Sequence, residues 1–169
     1  MDFLELVKQR YSCRAYKSDP IEEEKLNRIL DAMRFAPSAC NRQPYRLFVL
    51  ETSRFRSKLE GVYHQPWFVE APIVVAMVAF LNEAWCHRDG KNLGLVDAAI
   101  AFDHLLLAAT HEGYGTCWVA AFHRLKAYEL LNLPETADIL AFSPIGVPAD
   151  RAPVKVRKSI EELVTFGVR

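Results

Sequence analysis

Between Asn92 and Glu112 the chain carries a helical pattern whose apolar residues spread beyond one face. Leu95, Ala99, Phe102, Leu106 and Ala109 form one stripe, and Ala98, Ile100, Ala101, Leu105, Leu107 and Ala108 widen it. A helix apolar nearly all round has to be covered on most sides. In a chain of 169 residues two arrangements meet that demand. The helix is either the core of one subunit or the seam between two. Gly113 stands where a C′ glycine would end it. A membrane span is excluded here, because Val96 to Thr110, the best candidate, holds Asp97, Asp103 and His104. A span needs about 20 apolar residues with few or no charges.

Other elements are arranged around this one. Asp2 to Arg10 places Phe3, Leu6 and Val7 on one helical face, with Asp2 as N-cap. After Ser18-Asp19-Pro20, a turn signal, Glu22 to Phe35 repeats the pattern through Leu26, Ile29, Leu30 and Met33, and Pro37 ends it. Leu47 to Leu50 predicts a short strand. Ile73 to Phe80, rich in β-branched residues, predicts a central one. Gly115 to Val119 reads as a strand and Leu125 to Leu133 as a short helix closed by Pro134. Ile139 to Val147 is another apolar run, and Pro144, which lacks an N–H, is expected at an edge or bulge. The tail from Ala149 to Lys158 is irregular and basic, followed by a last short helical piece. With no repeat or linker in sight, residues 1–169 read as one domain.

Charge narrows the partners. Twenty-one basic residues balance twenty-one acidic ones, which argues against a nucleic-acid or membrane-surface partner and weakens repulsion between copies. The opening MDFLELVKQRYSCR lacks the apolar core of an export signal. Cys13, Cys40, Cys86 and Cys117 form no CxxC pair and, with the five histidines, no recognised metal spacing. Reduced thiols in the cytoplasm and no bound metal are the expectation.

Four segments could carry chemistry. Arg10-Tyr11-Ser12-Cys13-Arg14 offers two guanidiniums and a hydroxyl to one anion. In extended backbone Arg10, Ser12 and Arg14 point to one side, Tyr11 and Cys13 to the other. Ala36-Pro37-Ser38-Ala39-Cys40-Asn41-Arg42-Gln43-Pro44-Tyr45 is a loop rich in amides, each both donor and acceptor, which suits a heterocycle with alternating N–H and C=O groups. Gly113 to Phe122 contains small residues after Trp118 that let backbone approach a flat ligand. Lys155-Val156-Arg157-Lys158 places Lys155 and Arg157 on one side, ready to add positive charge. Taken singly, each has a bland reading as a solvated corner, a connection, a tight turn or a basic tail, and for the two basic runs that reading is the commoner one.

In this order and separation the segments resemble the flavin-dependent nitroreductase family. The resemblance runs from RYSCRAY through APSACNRQPY, EAPIVVAMVAF and DAAIAFDHLLLAATHEGYGTCW to IGVPADRAPVKVRKSIEELV. It implies an α+β fold with three α/β/α layers, a mixed and mainly antiparallel central sheet, flanking helices and an intertwined homodimer. Two FMN sites would lie between the subunits. By resemblance, Arg10, Ser12 and Arg14 hold the FMN phosphate and ribityl chain, Tyr11 contributes backbone, and Lys155 and Arg157 add to the phosphate site. Asn41 and Gln43, supplied by the partner subunit, meet the isoalloxazine or ribityl groups. Trp118, Val119, Ala120 and Ala121 line one ring face, with the Ala120 N–H nearest flavin N5.

The implied activity is ping-pong transfer of hydride from NADH or NADPH through FMN to a small-molecule acceptor such as a nitroaromatic or quinone. No side chain stands out as a general acid or base, because the cofactor carries the chemistry. A relative catalysing another flavin reaction, such as dehalogenation, and a flavin-binding carrier or sensor with little turnover are the competing readings. The chain departs from larger members, which carry an acidic residue and a glycine where Ala120 and Ala121 stand. Its segment between the Ile73 strand and the long helix is also short, which leaves His64 to Phe68 or Trp85 to Arg88 to cover the flavin.

Overall fold

A computed structural model describes residues 1–167. In chain order it contains α1 (Phe3–Gln9), α2 (Glu23–Arg34), β1 (Tyr45–Glu51), α3 (Thr52–Val62), β2 (Ile73–Phe80), α4 (Gly94–His111), β3 (Gly115–Thr116), α5 (Arg124–Leu131), β4 (Ala137–Gly146) and α6 (Ile160–Leu163). The four strands pair antiparallel in the order β1-β2-β4-β3, and a single parallel bridge ties Ser12 to Thr116.

Strand β2 organises the layers. Seven of its eight residues are buried, so both faces of the sheet are covered there. Ile73, Val75, Met77 and Ala79 pack with Ile29 of α2 and with Ala98, Phe102, Leu105 and Ala109 of α4. Val74, Ala76 and Val78 face the other way, onto Leu59 and Val62 of α3, Phe68, and Ala127 and Leu131 of α5. The two alternating sets make the α/β/α sandwich that the resemblance implies.

Helix α4 is covered on one side only within the chain. Ala98, Ala101, Phe102, Leu105, Leu106 and Ala109 are buried. Its opposite flank, with Leu95, Val96, Ala99 and Ile100, lines an open groove. The first turn includes Asp97, 3% exposed, beside the loop that follows α2.

Several boundaries differ from the expectation. Strand β1 extends to Tyr45–Glu51, because its pairing with Ile73–Ala79 continues past the apolar run. Strand β3 ends at Thr116, and only a bridge from Val119 to Phe142 continues it. Pro144 is a correction: it lies inside β4, between two neighbours, and the register shift falls instead between Met77 and Val78. The reason is parity. Phe142 exchanges both of its backbone bonds with Val119, so the nitrogen of Pro144, two residues on, points the same way. It faces the interruption between Thr116 and Val119, where the Cys117 N–H donates to Ser143 Oγ at 3.1 Å instead of to a main-chain carbonyl. The missing donor therefore costs the ladder nothing.

Candidate functional site

The segment after α1 is laid along β3. The Cys13 N–H donates to the Thr116 carbonyl at 2.9 Å, and Cys13 is fully buried. The side chains alternate as expected. Tyr11 and Cys13 reach one carboxylate, that of Asp150: Tyr11 Oη donates at 2.8 Å and Cys13 Sγ at 3.0 Å. The Arg14 N–H donates to the second oxygen of Asp150 at 2.8 Å. Arg10, Ser12 and Arg14 lie on the other side and all act on the buried Cys117 thiol. Burial pushes that thiol up, and Arg14, Ser12 and Arg10 oppose the rise.

The late basic pair comes to the same place. Lys155 Nζ donates to the Lys8 carbonyl in the last turn of α1, the negative end of the helix dipole. Burial, then the Arg10 and Arg157 cations, hold the Lys155 ammonium below its ordinary range. Arg10, Arg14, Lys155 and Arg157 form no ion pair among the described residues. Arg10 and Arg157 both act against the charge on Lys155, and an anion placed among them would oppose that effect.

Asp150 was not singled out from the sequence, yet it joins the two halves of this cation group. Its three donors belong to the segment bearing Arg10, Ser12 and Arg14, and it precedes the segment bearing Lys155 and Arg157. Burial alone would raise its carboxyl, but donation from the Arg14 N–H, the Cys13 thiol and the Tyr11 hydroxyl holds it below the ordinary range. The same contacts and burial raise Tyr11, and they push the Cys13 thiol up to about 11, leaving it a protonated donor and no nucleophile at neutral pH. The Tyr11 hydroxyl thus serves to anchor Asp150.

Beside the cations, Trp118 turns one edge onto Phe102 of α4 at 4.9 Å between centroids and is 37% exposed. Ala120 and Ala121 are exposed, and their N–H groups have no partner among the described residues. Between Trp118 and Ala120, the Val119 side chain is buried in the core beside Phe142, which takes both its N–H and its C=O.

Asn41 and Gln43 are not brought to this cluster. Their loop abuts the start of α4, where the Ala39 N–H donates to Asp97 Oδ1 at 3.0 Å. Tyr11 lies by Thr110 at the other end of the helix. At 1.5 Å per residue the axial rise between Asp97 and Thr110 is about 20 Å. The loop is also strained: Cys40, Asn41 and Gln43 hold φ of 51°, 54° and 50°. Each costs a non-glycine residue roughly 1–2 kcal/mol. Asn41 and Gln43 are exposed and joined, Gln43 Nε2 donating to Asn41 Oδ1 at 2.9 Å.

One close approach sets the clamp's position. A Cβ on Gly115 would meet Cys13 Sγ at 2.7 Å and Cys13 Cβ at 2.9 Å. Gly115→Ala is therefore expected to destabilise the fold by about 1–3 kcal/mol and to push the Arg10–Arg14 segment off β3. Thermal unfolding reads the first effect; weaker binding of a phosphorylated ligand reads the second.

The arrangement suits a ligand with an anionic end and a flat body. Among the described residues the cations form no ion pair, and the Asp150 carboxylate is engaged by three donors. The adjoining exposed strip at Ala120 and Ala121 carries no side chain beyond a methyl. FMN has this form, and the donors fit it. The described residues hold no cluster of metal-capable side chains and no helix long and apolar enough to cross a membrane.

Comparison with known proteins gives the same family. The model of the Nitroreductase family matches residues 7–72 and 59–147. The FMN reductase [NAD(P)H] of Bacillus subtilis (strain 168) is 30% identical over 163 residues, covering 86% of this chain, which spans 66% of that relative. Among solved structures, a nitroreductase family protein from Clostridium difficile 630 superposes with a TM-score of 0.91 at 32% identity, covering 99% of both chains. One from Clostridium novyi NT gives 0.81 at 35% identity, covering 89% of this chain and 87% of that one. The chain belongs to the nitroreductase family.

Proposed function

We propose that the chain is an FMN-dependent oxidoreductase that takes hydride from NADH or NADPH and reduces small-molecule acceptors such as nitroaromatics and quinones. The observation that carries this is the gathering of Arg10, Ser12, Arg14, Lys155 and Arg157 from two ends of the chain, without an ion pair among the described residues, together with the exposed Trp118, Ala120 and Ala121. Bound FMN supplies the chemistry, accepting hydride from the nucleotide and returning reducing equivalents to the acceptor. The protein's share is orientation and electrostatics. Arg10, Arg14, Lys155 and Arg157 hold the phosphate, Ser12 adds a neutral donor, and the free N–H groups of Ala120 and Ala121 are available to the edge of the ring.

The working unit in this reading is a homodimer of one-domain subunits, residues 1–169, with the cofactor between them. Three features support it. The loop bearing Asn41 and Gln43 abuts Asp97, whereas Tyr11 of the Arg10–Arg14 segment lies by Thr110, about 20 Å away along α4, a separation that a cofactor shared between two subunits would accommodate. The outer flank of α4 is apolar and open. The C-terminal arm carries Val154, Ile160 and Phe166, which are 93%, 68% and 91% exposed, and its helix α6 has four residues, too short to persist uncovered. A cytoplasmic location goes with the four unpaired cysteines.

The test is the visible spectrum of the purified protein followed by anaerobic addition of each nucleotide. Absorption near 450 nm (approximate, a property of oxidised flavin) is expected. NADH or NADPH should bleach it, and a nitroarene or quinone should restore it. Protein that is colourless and takes up no added FMN rejects the reading; a flavin that neither nucleotide bleaches makes the chain a binding module.

A further inference from the structure

The loop that carries Asn41 and Gln43 is held to the fold at few points, and one of them is unusual. Asp97 is buried in the first turn of α4, 3% exposed. Its Oδ1 accepts the Ala39 N–H at 3.0 Å, while Oδ2 has no partner. The hydroxyl of Tyr45, a residue 9% exposed, is likewise without one. Burial and then the Asp97 charge push the Tyr45 phenol up. A buried carboxylate with an unpaired oxygen weakens a fold, even where a helix N-terminus eases its charge. The one bond it makes to the chain outside its own helix is the one to the loop.

What it holds is a chain of bonds leading outward. The Ala39 N–H fixed by Asp97 is followed by the left-handed Cys40 and Asn41. Ser38 Oγ accepts the Gln43 N–H at 3.0 Å, and the Gln43 carbonyl accepts the Tyr45 N–H at 2.8 Å. Arg42 Nη1 donates to the Ala84 carbonyl at 2.9 Å. Left-handed conformation at three side-chain-bearing residues does not persist unless the surroundings impose it.

We propose that Asp97 is a positioning residue for the flavin site: through the Ala39 N–H it imposes the strained loop that presents Asn41 and Gln43 to the cofactor of the partner subunit. The inference rests on the functional reading above. Asn41 and Gln43 would then meet the ring or ribityl portion, and the phosphate would be left to the distant cations. This division makes a signature. Asp97→Ala lowers affinity for FMN and for riboflavin, which has no phosphate, by the same factor, whereas Arg10→Ala weakens FMN selectively.

The experiment titrates the full chain, freed of cofactor, with FMN and with riboflavin by fluorescence quenching. Asp97→Ala should raise both dissociation constants about tenfold, the equivalent of one or two lost hydrogen bonds, with their ratio unchanged. Asp97→Asn keeps an oxygen for the Ala39 N–H and should stay within about threefold of the parent protein. If Asp97→Ala does not fold, Ser38→Ala, which removes the acceptor of the Gln43 N–H, should weaken both ligands together by about threefold or more. Unchanged affinities in the folded variant overturn the proposal. So does a loss confined to FMN, or a loss in Asp97→Asn as deep as in Asp97→Ala. A parent protein that binds neither flavin rejects the functional reading and this inference with it. A parent that binds both, with variants that bind them equally well, rejects this inference alone.

Discussion

Alanine at both Arg10 and Lys155 is expected to lower FMN affinity by at least about a hundredfold, since each charge-assisted bond contributes roughly 1.5–3 kcal/mol. The fold should survive. Neither side chain is part of the apolar core, and removing two crowded cations relieves repulsion in the cofactor-free protein, where Arg10 and Arg157 already depress the Lys155 ammonium. The expected pattern is an unchanged or slightly raised thermal midpoint without FMN, together with a lost stabilisation by added FMN. Equilibrium titration of the double variant checks it, and affinity equal to the parent's refutes the clamp. Salt supplies a second handle, because screening weakens exposed charge attraction and should loosen FMN in the parent more than in the variant.

Asp150→Ala is expected to do more damage for the opposite reason. It leaves the Tyr11 hydroxyl, the Cys13 thiol and the Arg14 N–H without their shared acceptor. Bonds to a charged acceptor contribute about 1.5–3 kcal/mol each, so a loss of roughly 3 kcal/mol of stability, with most FMN binding, is the expectation from chemical denaturation and titration. The parent should show the same dependence through pH. The folded Asp150 carboxyl lies below its ordinary range. Its contribution is therefore complete above the unfolded value of about 4 and is lost as pH falls through the lower folded value. FMN retention and stability should decline together in acid, and Asp150→Asn, which cannot ionise, should lack that component of the decline.

These two residues mark how far the sequence could be read. Arg10 and Lys155 lie in short runs whose residue types suit a phosphate, but only the resemblance of the whole series of segments to the family singled them out. Asp150 stands in IGVPADRAPVKV with nothing local to separate it from Asp138 or Asp103. Its role exists only through partners up to 139 residues away. Asp97 was visible merely as a charge that disqualified a membrane span. Strand β2 was legible residue for residue, because burial on both faces demands an uninterrupted apolar run of β-branched residues. Helix α3 went unread, since only Phe55, Leu59 and Val62 break a polar and charged stretch. Pro144 misled because its missing donor matters only if the ladder needs it there.

The bonds that Asp150 makes to Tyr11 and Arg14 also have a temporal side. They close nearly the whole chain, with sequence separations of 139 and 136 residues. Long closures carry the largest entropy and form late. The paired strands and the helices packed on them can assemble through shorter closures while the clamp is still open. During synthesis, which proceeds from the N-terminus, Arg10, Ser12 and Arg14 exist long before the carboxylate that anchors them. A product that ends before Asp150 but already has its sheet would lack the carboxylate that holds Tyr11, Cys13 and Arg14, and weakened FMN uptake by such a product is the expected result.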